Sequence, residues 1–90
     1  MKVYELLDRP EKWTTQADAK NESGKAVRFD DPNARCWCIL GALAKCHGLH
    51  ESFQIQYMIK RIVGGHISSW NDAPERTYED VIKLCKELDI

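Results

Sequence analysis

Few side chains in this sequence can do chemistry: cysteines at 36, 38, 46 and 85, histidines at 47, 50 and 66, and the amide-acid pair Asn71-Asp72. Thiolate and imidazole are the ligands of structural zinc, so Cys36, Cys38, Cys46, His47 and His50 face a metal test first. Their spacing fails it. Zinc knuckles hold two cysteines on a turn a few residues apart, whereas the periodicity here puts Cys38 and Cys46 two turns apart on one helix. No metal or other cofactor is expected. Cys38, His66 and Asp72, or Asn71 in its place, match in kind the nucleophile, base and orienting group of a cysteine hydrolase. A reactive thiolate needs a helix N-terminus, a cation or an electropositive setting. Cys38 is read on an apolar helix face beyond the first turn, where desolvation keeps the thiol protonated. Cys38, Cys46 and Cys85 are therefore read as small core-filling hydrophobes.

The elements that position these residues follow from pattern and punctuation. Val3, Leu6 and Leu7 mark one face of a short helix that Pro10 stops. Alternation from Trp13 to Ala19, and again at Val27 and Phe29 beyond Asn21-Glu22-Ser23-Gly24, predicts a β-hairpin. Asp31-Pro32 reads as a cap and first turn, predicting a central helix over about 32–47 that is apolar nearly all round. Gly41 lies inside it at a cost of about 1 kcal/mol, which implies close packing, with Trp70 as the expected neighbour. A helix over about 52–63 places Ile55, Met58, Ile59 and Ile62 toward the core, with Gly64-Gly65 as its C-terminal cap. Its second stripe carries Phe53, Tyr57 and Arg61, residue types enriched at interface hot spots, unless the hairpin or first helix buries it. The last helix starts at Thr77 with Asp80 completing a capping box, and buries Val81, Leu84, Cys85 and Leu88. The eleven-residue connector 66–76, with Trp70, Asn71 and Asp72, is read either as a segment tied down by Asx hydrogen bonds or as a binding lip.

Composition bounds the rest. Ninety residues, 43% hydrophobic and 30% charged, make one α+β domain over 1–90, mostly helical, with about four helices and a hairpin. A net charge of −1 carries no global field for nucleic acid. Helix-turn-helix reading is disfavoured as well, because the connector after Gly65 is too long and the last helix mixes lysines with glutamates. No apolar run reaches the roughly 18 residues of a membrane span, and residues 1–5 lack the pattern of a secretory signal, so a cytoplasmic setting with reduced thiols is expected.

Two motifs resemble those of a known group. Trp37-Cys38-Ile39-Leu40-Gly41-Ala42-Leu43 is similar to a W-C-x-L-G-A-L signature, and Trp70-Asn71-Asp72 followed by Thr77 and Val81 is similar to a W-N-D ending. Together they resemble a family of small uncharacterised phage and bacterial proteins, and the resemblance implies such a source without implying an activity. The functional expectation is a non-enzymatic accessory protein that binds another protein, with host machinery or defence systems as the implied targets. Its binding candidates are Trp70, Asn71 and Asp72, or Phe53, Tyr57 and Arg61. The alternative is a small cysteine-dependent hydrolase or ligand-binding domain built on Cys38, His66 and the Trp70-Asn71-Asp72 loop.

Overall fold

A computed structural model describes residues 1–90. The chain runs α1 (Val3–Leu6), a 3-10 turn (Pro10–Lys12), β1 (Ala19–Asn21), β2 (Ala26–Val27), β3 (Ala34–Trp37), α2 (Ile39–His47), α3 (Leu49–Val63), α4 (Ile67–Asp72) and α5 (Tyr78–Leu88). This is the expected α+β class, with a third strand and a fifth helix added. The sheet is antiparallel in the order β2-β1-β3, with Ala19 paired to Val27 on one side and Trp37 on the other.

The hairpin lies later than its alternation suggests. Trp13–Asp18 carries no named strand, and Trp13 makes only an isolated bridge to Trp37. The turn is set by Asn21, whose Oδ1 accepts from the Ser23 and Lys25 amides, both at 3.0 Å. Such Asx closure turns the chain without a strong strand former on either side.

The central helix expected over 32–47 is instead a turn, a strand and a shorter helix. Asp31 Oδ1 accepts from the Asn33 amide at 2.7 Å, so Asp31-Pro32 makes a turn rather than a helix start. Ala34–Trp37 pairs with β1, but Ala34 and Trp37, three residues apart, are both buried while Arg35 is exposed, because the register slips between Lys20 and Asn21 and leaves Arg35 unpaired as a bulge. The helix begins after Cys38, whose extended backbone and side-chain sulfur serve as the N-cap. The Gly41 N–H donates to Cys38 Sγ at 3.3 Å.

Gly41 has a reason other than Trp70. A Cβ there would run into the backbone carbonyl of Asp18, which also accepts from the Cys38 amide at 3.1 Å. The segment before β1 thus lies directly on the first turn of α2, and only a residue without a side chain admits it.

Ile39, Ala42 and Leu43 of α2 are fully buried and form the centre of the core with Val3, Leu7, Ile59, Val81 and Cys85. Gly48, at φ +82°, is the single residue separating α2 from α3, so the two helices lie side by side. The predicted capping of α5 is present: the Thr77 amide donates to Asp80 Oδ2 at 3.0 Å, and the Asp80 amide to Thr77 Oγ1 at 3.2 Å. No helix is long and apolar enough to cross a membrane.

Candidate functional site

The Trp70-Asn71-Asp72 segment is not an irregular loop: it is the end of α4, a helix inside the span 66–76 read as a connector. Asn71 is fully buried. Its Oδ1 accepts from Trp13 Nε1 at 2.8 Å and from the Ile39 amide at 3.1 Å. Its Nδ2 donates to the Thr14 carbonyl at 3.2 Å and to Asp72 Oδ1 at 2.9 Å. Four bonds satisfy both donors and both lone pairs of the amide, so it has nothing left to offer a ligand. Asp72 Oδ1 also accepts from the Gln16 amide at 3.0 Å, holding Gln16 at φ +65°. The pair fastens α4 to the segment 13–16 and to the N-terminus of α2. Trp70 is half-buried under Arg76, whose guanidinium lies 4.2 Å from the ring and whose Nε donates to the Trp70 carbonyl at 2.8 Å.

The thiol constellation is only partly assembled. Cys38 and Asp72 line one cleft of about 250 Å³ with Asp18 and Ser68, and His66 is not on its wall. His66 is the exposed residue before α4, outside that cleft. Cys38 is at a helix N-terminus after all, a correction to the mid-helix placement. The amides of Gly41 and Leu40 favour its thiolate, but burial outweighs them and the charges of Asp18 and Asp72 add to it. The Cys38 thiol is pushed up to about 11. Cys85 is pushed up to about 12, first by burial and then by Cys46. Cys36 lies on β3, Cys38 at the cap and Cys46 inside α2, so the first three cysteines do not share one continuous helix.

The surface that stands out is α3. Of six exposed large hydrophobic residues in the chain, Leu49, Phe53, Tyr57, Met58 and Ile62 are on this helix. Phe53 is 61% and Tyr57 74% exposed, so neither the hairpin nor α1 covers their stripe. Met58 and Ile62, assigned by spacing to the core face, are 47% and 56% exposed. That assignment is corrected: α3 buries only Ser52 and Ile59 completely, because α2 and α4, the helices packed on it, cover a narrower arc than the apolar pattern spans. Residues four apart drift by about 40° round a helix, so Leu49, Phe53 and Tyr57 form one slanting ridge. Beside it runs a cleft of about 270 Å³ whose apolar walls are Phe29, Leu40, Ala44, Leu49 and Phe53. The groove-forming Phe29, Leu40 and Ala44 escaped sequence reasoning, since nothing in their local pattern says that three elements converge there.

A family model described as a family of unknown function, DUF6197, matches residues 2–88. The chain belongs to this family. The match takes in both the α2 motif and the end of α4, and so covers the whole fold of this DUF6197 chain. No curated protein and no solved structure matches it.

Proposed function

We propose that this DUF6197 chain is a small non-enzymatic accessory protein of phage or bacterial origin, acting in the cytoplasm by binding another protein through the α3 ridge. The observation that carries this reading is the exposure of Phe53 and Tyr57 next to an apolar groove. Large exposed apolar patches on small domains mark interaction sites, and aromatic residues with an arginine are the side chains that dominate such contacts. Arg61 follows Tyr57 by one turn and is exposed as well. Host machinery or a defence system is the class of target that the family resemblance suggests. The buried, strongly protonated Cys38 supports recognition over thiol catalysis.

A photo-crosslinking amino acid at position 57, expressed in the native cell, tests the reading directly. Covalent adducts with protein at position 57, and none from the same group at the exposed Lys83 of α5, are the expected result. Equal labelling at both positions, or none at either, would sink the proposal.

A further inference from the structure

We infer that the occupant of the α3 face is a second copy of this chain, with the two α3 helices antiparallel across a two-fold axis and each ridge seated against the other's groove. The inference rests on the reading of this face as a protein-binding surface, and three observations take it further.

Geometry is the first. An axis at the level of Ile55 places Phe53 of one copy opposite Tyr57 of the other, twice, and sets Leu49 against the aliphatic stem of Arg61. A patch that carries both a projecting ridge and the groove beside it has the self-complementary form that an isologous pair requires. Area is the second. Taking about 200 Å² for a fully exposed large side chain, the exposed fractions of Leu49, Phe53 and Tyr57 amount to roughly 400 Å². The groove walls and the stems of Lys60 and Arg61 extend this toward the roughly 800 Å² per partner of a standard interface.

Charge is the third. Lys60 and Arg61, in the last turn of α3, enter none of the ion pairs of the chain. The groove is lined by Asp18, which is also unpaired, and Asp30 follows its wall residue Phe29. Asp30 is held by Arg28 at 3.0 Å and remains half-exposed, with Lys45 nearby. The α3 helix of a second copy therefore brings two free cations to a groove whose one unpaired carboxylate is Asp18, Asp30 being already neutralised by Arg28. Met58 and Ile62 lie on the opposite flank of α3 and take no part.

Sedimentation equilibrium of the whole chain is the test. The wild type is expected to approach twice its 10.4 kDa mass as concentration rises. Phe53→Asp and, separately, Tyr57→Lys should each weaken association roughly 100-fold or more, because each change counts twice in a two-fold interface. Both positions are exposed, and circular dichroism confirms that the variants stay folded. A Lys60→Glu/Arg61→Glu chain and an Asp18→Lys chain should each be monomeric alone and associate when mixed, since mixing restores opposite charge on both sides. A wild type that stays monomeric to millimolar concentration overturns the inference, as does a dimer indifferent to Phe53→Asp or a mixture that fails to associate. If the chain is monomeric yet position 57 crosslinks to a different protein, the second copy is wrong and the binding surface stands. Absence of both dimer and adduct removes the two together.

Discussion

Cys38 and Asn71 are the two residues whose surroundings decide the chemistry of this chain. Each belongs to a recognisable motif, and each has its polar capacity absorbed internally. For Cys38 the consequence is measurable. Its thiol rises from the ordinary 9.0 to about 11, and that of Cys85 to about 12. A thiol with a raised folded pKa holds its proton more tightly in the folded than in the unfolded chain, so its contribution is fully present below pH 9. That contribution is lost as pH climbs from 9 toward 11 and beyond. Urea titrations are expected to show stability falling by on the order of 2 kcal/mol for each of the two thiols between pH 8.5 and 10.5. A Cys38→Ser/Cys85→Ala chain should give a flatter profile. If the wild type and this variant respond alike to pH over that range, the burial argument for these thiols is wrong. The site chemistry was half legible at this scale. Sequence correctly set Cys38 in an apolar environment, but its N-cap role was hidden because cysteine is not among the residues that announce a cap.

Among the elements, α2 and α3 show where pattern succeeds and where it misleads. The Asp31-Pro32 signal is real turn chemistry, used to enter β3 rather than a helix, and the four-residue run Ala34–Trp37, interrupted by a bulge at Arg35, shows no alternation that could outweigh it. Gly41 predicted close approach by something, and the backbone of Asp18 is that partner. On α3 the apolar residues occupy more of the circumference than its neighbours cover. Periodicity reports which residues share a face, not whether the face has a neighbour. Two substitutions on this one helix should therefore behave oppositely. Ile59→Ala, at a fully buried site, is expected to cost about 2–5 kcal/mol. Phe53→Gln, at an exposed one, should change the stability of dilute protein by less than about 0.5 kcal/mol. Denaturant melts at low micromolar concentration check both, and a large loss at Phe53 would place it in the core of the single chain.

The whole molecule is closed by its two ends. The Val3 amide donates to the Ile90 carbonyl at 2.7 Å, Lys2 Nζ donates to the Asp89 carbonyl at 2.8 Å, and His47 Nε2 lies 3.0 Å from the Ile90 oxygen. Ile90 itself is buried in the core cluster beside α1 and α5. Ile90→Ala should therefore cost about 2–4 kcal/mol, read as a lowered urea midpoint with unchanged slope, although the residue follows the last helix. An effect below about 0.5 kcal/mol would show that the end is frayed in solution. The α+β class, the capped α5, the short first helix and a glycine needing close approach were all determined by the sequence alone. These depend on turn chemistry, capping and period, which act over a few residues. Only the tertiary structure decided that 34–37 is a strand, that Asn71 is bonded on all sides, and that Phe53 and Tyr57 are bare. Each of those depends on which distant segment arrives alongside: residues 13–16 for Asn71, β1 for β3, and for the α3 ridge no segment of this chain.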